Sequence, residues 1–229
     1  MRQIFHALPW IPPKEPREVA ELFSQYGVPL TYKSGQLLKS RGENNKLFLI
    51  TKGAAAYYIA DRYKSHPSVL NLLIPGRSAC DLSALTETKV NVTTRAIGPC
   101  EVLAMHPHLI SKFMLEHSEF SLNYAKHVVF KQECSIEAMV ANFTLEPEER
   151  LRRLLKVLLI SYEKPIPPNS WIRIPLDLTN EQYGSVVNLT RVSVSRLFSD
   201  WTSKGLLKKS GRTVYVMSSL FDNMYDWVK

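Results

Sequence analysis

The sequence predicts an α+β chain in three parts, and three observations predict it. Between residues 28 and 104 short apolar runs alternate with turn residues; from 107 to 143 there is no glycine, and no proline after Pro107; from 178 to 216 two short helical segments precede a hairpin rich in cations. The first texture belongs to a many-stranded antiparallel β domain, the second to a long helix and the third to a helix-turn-helix with a β hairpin beside it. At 229 residues, with 45% hydrophobic and 22% charged, the chain has apolar material for two cores and no compositional sign of disorder.

Residues 1 to 15 hold Pro9, Pro12 and Pro13 and read as an extended arm. Pro16 suits a first helical position and Gly27 a left-handed helix end, so a short helix is expected over 16–26. The β domain draws on Leu37-Leu38, Leu47 to Ile50, Ala54 to Ile59, Val69 to Ile74, Val90 to Thr94 and Val102 to Ala104. Its punctuation is Ser34-Gly35, Arg41-Gly42, Lys52-Gly53, Pro75-Gly76 and Gly98-Pro99.

In the stretch that follows, a short helix gives way to a longer one. Leu122, Ala125, Val129, Gln132, Ile136, Met139 and Phe143 recur there at alternating spacings of three and four, a heptad seam suited to burying one helix face against a partner helix. A homodimer is therefore expected. The alternative is that the stripe lies on its own β domain, yet Val128, Phe130 and Val140 fall off the seam and could make that contact instead. Pro147 can open a new helix, with Glu148 and Glu149 in its first turn, where the helix dipole favours negative charge. Leu151, Leu154, Leu155, Leu158 and Leu159 carry it to Tyr162, and a short strand is expected at 171–175. A hinge near 143–147 divides an N-terminal β domain with its arm and helix (1–106) and a helical connector (107–145) from a C-terminal domain (146–229).

Within the C-terminal domain, Thr179 can cap a first helix whose opening turn holds Glu181 and Gln182. Gly184 is costly in mid-helix but permits close approach, Asn188 suits a left-handed turn, and Thr190 can cap a second helix from Arg191. Val194, Leu197 and Phe198 form the buried face of this helix, opposite Arg191, Val192, Ser195 and Arg196. Arg fits guanine O6 and N7 bidentately, so those four are candidate base contacts. Thr179, Thr190, Ser193, Lys208, Lys209 and Arg212 are candidate phosphate contacts, the last three around a turn at Ser210-Gly211. Residues 173 to 212 hold seven cations against three anions, and the whole chain carries +8, both favourable to a polyanion. A solvated basic face on an ordinary helical domain is the bland alternative.

The order of these parts resembles the CRP/FNR family of bacterial regulators over nearly the whole chain. The stretch Arg41-Gly42-Glu43 through Leu47-Phe48-Leu49-Ile50 to Gly53 resembles that family's barrel turn. Gly184, Thr190, Ser193, Val194, Ser195 and Arg196, with Gly205-Leu206-Leu207 after them, resemble its reading helix. The resemblance implies a cyclic-nucleotide-binding-like β-roll, a dimerisation helix and a winged helix-turn-helix, with Arg196 reading a guanine and Arg191 and Ser195 beside it. Val192 stands where the family commonly has Glu, so a cytosine contact is missing and the operator should depart from the usual half-site.

The effector is the second departure. Where cyclic-AMP-binding members hold ribose and phosphate with Gly-Glu-Leu and Arg-Ser-Ala, this chain has Cys80-Asp81-Leu82 and Val90-Asn91-Val92. A cyclic phosphate would lie beside Asp81 without its cation unless Arg77 or Arg95 replaced it, so cyclic AMP is not expected and the candidate effector pocket is Arg77, Cys80, Asp81, Leu82, Asn91, Val92 and Arg95.

No cofactor is expected. The three cysteines, Cys80, Cys100 and Cys134, are too few and too scattered for an iron-sulfur cluster and read as buried thiols. His106, His108 and His117 could surround a metal or haem, but His106-Pro-His108 reads better as the entry to the helical region. No nucleophile beside a base, phosphate-cradling Gly loop or paired-carboxylate motif points to an enzyme. With no 18-residue apolar run and no signal peptide, a cytoplasmic protein is expected. Double-stranded DNA with a palindromic operator is the expected partner, with RNA polymerase and a small-molecule effector as further candidates. The competing reading is an effector-independent regulator controlled by abundance or a protein partner.

Overall fold

A computed structural model of the chain describes residues 4–40, 42, 45–59, 68–80, 85–86 and 90–224. The chain divides into two compact units, Pro12–Ser135 and the residues up to Ile11 together with those from Ile136 onward. The division falls inside a helix. Among the described residues no helix is long and apolar enough to cross a membrane.

The first unit opens with helix α1 (Arg17–Tyr26), which buries Val19, Leu22 and Phe23. Pro16 sits one position ahead of the helix, and Gly27 is extended at φ −76° instead of left-handed. The glycine serves proximity: a Cβ there would lie 2.3 Å from the Phe23 carbonyl oxygen and 2.8 Å from the Leu103 Cβ. Among the described residues eight strands follow: β1 (Val28–Tyr32), β2 (Leu37–Lys39), β3 (Leu47–Lys52), β4 (Ala55–Ile59), β5 (Ser68–Leu73), β6 (Ser78–Ala79), β7 (Val92–Ala96) and β8 (Cys100–Met105). They form two four-stranded antiparallel sheets, ordered β1-β8-β3-β6 and β2-β7-β4-β5. Leu47, Phe48, Ile50, Leu73, Val102 and Met105 fill the core. Two strands have no counterpart among the apolar runs. The edge strand β1 contains Pro29, is exposed at Val28, Pro29 and Thr31 and buries no residue fully, while β6 spans two residues, too few to show a period.

Helix α2 (Pro107–Glu116) begins at His106, whose Nδ1 accepts from the His108 N–H at 3.2 Å, so this histidine pair caps a helix. Helix α3 (Ser118–Thr144) follows. In the first unit it buries Tyr124, Val128, Lys131 and Cys134, whereas the seam positions Leu122, Ala125 and Val129 are exposed. Of the off-seam residues expected to pack inward, Val128 does, Phe130 stays on the surface and Val140 is half-buried. Gln132 is half-buried, turned partly away from the seam.

The second unit takes the end of α3, where Ile136, Met139 and Phe143 are exposed, and then helix α4 (Pro147–Ser161). Strand β9 (Trp171–Arg173), helix α5 (Asn180–Val187), helix α6 (Arg191–Ser203) and the hairpin β10 (Leu207–Ser210) with β11 (Thr213–Met217) complete it. The three strands form an antiparallel sheet ordered β10-β11-β9. The backbone amides of Ile4 and Phe5 donate to Glu137 Oε1, which ties the start of the chain to this unit.

Candidate functional site

The helix-turn-helix is set by its two caps and the corner between them. Thr179 Oγ1 accepts from the Gln182 amide at 3.1 Å and Gln182 Oε1 accepts from the Thr179 amide at 2.8 Å, a reciprocal capping box at the start of α5. Asn188 ends α5 in the left-handed region, φ 53° and ψ 48°. Thr190 Oγ1 then caps α6 by accepting from the Ser193 amide at 3.0 Å. The corner closes on Gly184, whose carbonyl accepts from the Leu189 amide at 2.9 Å. A Cβ on Gly184 would lie 2.4 Å from the Leu189 carbonyl oxygen, so the close neighbour is the turn.

Below α6, Val194, Phe198 and Trp201 are buried and Leu197 is half-buried. Phe198 meets Tyr183 edge-on at 5.3 Å between centroids, and Trp201 Nε1 donates to Glu148 Oε1 of α4 at 3.1 Å. Burial pushes the Tyr183 phenol far above its usual value, so it stays neutral in the core. With that face fixed, Arg191, Val192, Ser195 and Arg196 all emerge on the exposed face of α6. The helix thus presents two guanidiniums and a hydroxyl near its N-terminus.

Of the candidate phosphate contacts, Thr179 and Ser193 are half-buried and Thr190 is exposed, all at the positive ends of α5 and α6. Arg212 is exposed in the two-residue turn between β10 and β11, where Gly211 takes φ 60°. Two lysines are already engaged within the unit. Lys208 Nζ sits 3.9 Å over the Trp171 ring, and Lys209 Nζ donates to Asn180 Oδ1 at the first turn of α5, where partial burial lowers its pKa. Two other basic residues of the segment pair locally, Arg173 with Asp177 at 3.3 Å and Lys204 with Asp200 at 2.7 Å.

One contributor gave no sequence signal. Arg150 of α4 donates from Nη1 to the carbonyls of Asn142 at 3.2 Å, Val187 at 3.0 Å and Asn188 at 3.4 Å. It joins the ends of α3 and α5 to α4 and holds the corner from behind. It is one of three arginines, with Arg152 and Arg153, in the opening turns of α4, and its place in the sequence marks it out by no motif.

The first unit contains a cavity of about 630 Å³, counting its mouth, between the β2-β7-β4-β5 sheet and α3. Of the candidate effector residues, Cys80 and Val92 line it. Asn91 and Arg95 are exposed, with the Arg95 guanidinium 5.9 Å over the Tyr58 ring, and Asp81 and Leu82 lie outside the described residues. Arg77 is buried elsewhere, donating to the Pro12 carbonyl at 3.1 Å and the Pro75 carbonyl at 2.8 Å, so neither arginine reaches the cavity wall. Among the described residues the cations that do are Lys39 and Lys131. Lys131 Nζ donates to Glu15 Oε1 at 2.7 Å and to Ser78 Oγ at 3.1 Å, and His127 Nε2 lies 3.0 Å from Glu15 Oε2. Burial by itself would raise the Glu15 carboxyl; Lys131 and His127 outweigh it and hold the group well below the usual carboxylate range. All three cysteines are buried thiols, and burial pushes Cys100 up to about 11.

Two known families match this chain, the cyclic nucleotide-binding domain over residues 29–117 and the Crp-like helix-turn-helix domain over residues 149–218. No curated protein matches it by sequence. Among solved structures it is similar to FixK2 from Bradyrhizobium japonicum, at 15% identity over 89% of this chain and 98% of that one, with a TM-score of 0.74. It is also similar to a CooA mutant from Carboxydothermus hydrogenoformans, at 19% identity over 90% and 88% with a TM-score of 0.67. The c-di-GMP responsive global regulator CLP of Xanthomonas campestris shares the fold at 15% identity over 88% and 99%, with a TM-score of 0.64. With a β-roll of the first family, a reading head of the second and a long helix between them, the chain belongs to the CRP/FNR family of transcription regulators.

Proposed function

We propose that the chain works as a homodimer that reads a palindromic operator with α6 and is gated by an effector in its β domain. The observation that carries this reading is the split of α6 into a face locked by Val194, Phe198 and Trp201 and an exposed face of Arg191, Val192, Ser195 and Arg196. Arg196 and Arg191 supply bidentate donors for guanine edges, and Ser195 adds a shorter contact. Val192, 57% exposed, offers only an apolar contact, such as a thymine methyl, where a carboxylate would accept from cytosine. Thr179, Thr190, Ser193 and Arg212 surround this face with phosphate donors, and Lys208 and Lys209 add charge from the hairpin. The exposed seam of Leu122, Ala125, Val129, Ile136 and Met139 supplies the partner contact, with Gln132 at its edge.

Selection of bound sequences from random DNA, with and without extract of the native cells, tests the reading. The expected product is a palindrome with half-sites about one helical turn apart, enriched more strongly in one of the two conditions. Enrichment of a palindrome to the same degree in both would favour control by abundance or a protein partner. No enrichment of any sequence would remove the reading altogether.

A further inference from the structure

Helices α3 and α4 are joined by Leu145 and Glu146 alone, and each residue of such a joint can turn about its two soft backbone dihedrals unless something braces it. Two side chains do. Arg150 of α4 spreads Nη1 over three carbonyls, that of Asn142 near the end of α3 and those of Val187 and Asn188 at the end of α5. Asn142 answers from α3, its Nδ2 donating to the Val186 carbonyl at 3.2 Å. Successive carbonyls at the end of α5, groups that a helix cannot bond within itself, are thus held by one residue of α3 and one of α4. Thr190 caps α6 two residues after Asn188, so the brace ends at the first turn of the helix proposed to read bases.

Stability alone does not account for this pair. Asn142 Oδ1 and Arg150 Nε are buried without a hydrogen-bond partner among the described residues, a penalty that an apolar contact between the same helices would avoid. What a charged, forked donor adds is direction, since its bonds weaken steeply when the helix ends move out of line. Direction matters here because Met139 and Phe143, exposed residues of the apolar seam, lie within one turn of Asn142 on α3. The brace therefore connects this end of the seam to α6 inside one compact unit, the one that takes in the chain from Ile136 onward.

We infer that Arg150 and Asn142 set the separation of the two half-sites in the operator, by fixing where α6 stands relative to the seam. Both are positioning residues, acting on DNA through α6. The inference rests on the homodimeric reading above and adds which side chains choose the spacing. Two copies of α6 meet a duplex whose major groove returns once in about 10 to 10.5 base pairs. One extra base pair moves a half-site by about 3.4 Å and turns it by about 35°. A rigid link from seam to α6 accepts one separation, and a loose link accepts several.

The test is selection from random DNA by the whole chain as wild type, Arg150→Gln and Asn142→Ala, under the condition in which wild type enriches a sequence. Titrations follow with the selected half-site alone, and with pairs of it at the selected separation and at one base pair more or less. Wild type should prefer its own separation by at least about tenfold. Both variants should recover the same half-site and bind it singly within about twofold of wild type, while the preference for one separation falls to about threefold or less. Should Arg150→Gln not fold, Asn142→Ala decides alone, because it deletes one bond together with an unpartnered acceptor at a helical position that alanine favours. An undiminished spacing preference in a folded variant overturns the inference. So does a loss on the single half-site as large as that on the paired operator, which would make the two residues a prop for α6 itself. Wild type that enriches a half-site at no fixed separation is a different failure, and takes down the two-fold reading together with the inference.

Discussion

At the scale of single residues, the proposed function separates side chains that would specify from side chains that would attract. Arg196 is exposed on the face of α6 left clear by the buried side, with its helix position fixed by packing below. Arg196→Ala should weaken binding to the selected operator by about 1 to 3 kcal/mol while leaving affinity for random DNA within about twofold. Arg212, at the hairpin tip, should behave in the opposite way. Its removal should weaken all sequences alike and flatten the plot of log affinity against log salt by about 2 for a dimer, at roughly 0.9 per phosphate contact. Parallel titrations at several salt concentrations decide the matter, and an Arg196 variant that loses equally on both DNAs is not reading bases. Gly184 is decided by distance alone. Because a Cβ would lie 2.4 Å from the Leu189 carbonyl oxygen, backbone on both sides of the contact must give, and Gly184→Ala should destabilise the domain by about 1 to 3 kcal/mol despite the better helix propensity of alanine. A thermal melt at or above that of wild type would show that the corner has room.

At the scale of elements, the buried cluster of Glu15, Lys131, His127 and Ser78 joins the segment before α1 to α3 and β6 within the first unit. The Glu15 carboxyl is held below its unfolded value, so its contribution is present above about pH 5 and is lost as the pH falls through and below about 4.3. Melting measured from pH 6 down to pH 3 should therefore show a steep acid loss in wild type. Glu15→Gln should start lower, because Lys131 is left without its counter-charge, and lose less with acid; parallel slopes would mean that the carboxyl is not what titrates. Little of this cluster was legible in the sequence, since Glu15 and Lys131 lie 116 positions apart and neither belongs to a motif. The strands from β2 to β5, β7 and β8 were legible because each is an apolar run between turn residues. The Pro-bearing edge strand β1 and the two-residue β6 carry no such period. The helix-turn-helix was legible down to its caps, because Thr179, Asn188 and Thr190 act through their own backbone. Arg77 and Arg95 were not placeable, since chain position says nothing about which way a long side chain turns; one is spent on the carbonyls of Pro12 and Pro75 and the other lies over Tyr58.

At the scale of the whole molecule, the proposed homodimer rests on the apolar seam of α3. The helix has a buried face of its own, made by Tyr124, Val128, Lys131 and Cys134 in the first unit and by Ala138 and Ala141 in the second. Leu122, Val129, Ile136, Met139 and Phe143 run beside it with exposures between 40% and 81%, apolar surface that a lone chain would leave in water. In a parallel two-fold pair, Val129 of one chain meets Val129 of the other, so Val129→Glu would put two carboxylates face to face at the centre of the seam. Since Val129 is 58% exposed within the chain, the protomer itself should fold as before. Gel filtration and helical circular dichroism separate the effects. Wild type should elute at twice the chain mass, and the variant at the single mass with unchanged helicity. Operator affinity should fall at least a hundredfold, because one head alone keeps half the base contacts and loses the gain in effective concentration that tethering provides. A variant that stays dimeric and holds its operator would place the partner contact elsewhere, and with it the two-fold symmetry from which a palindromic operator is argued.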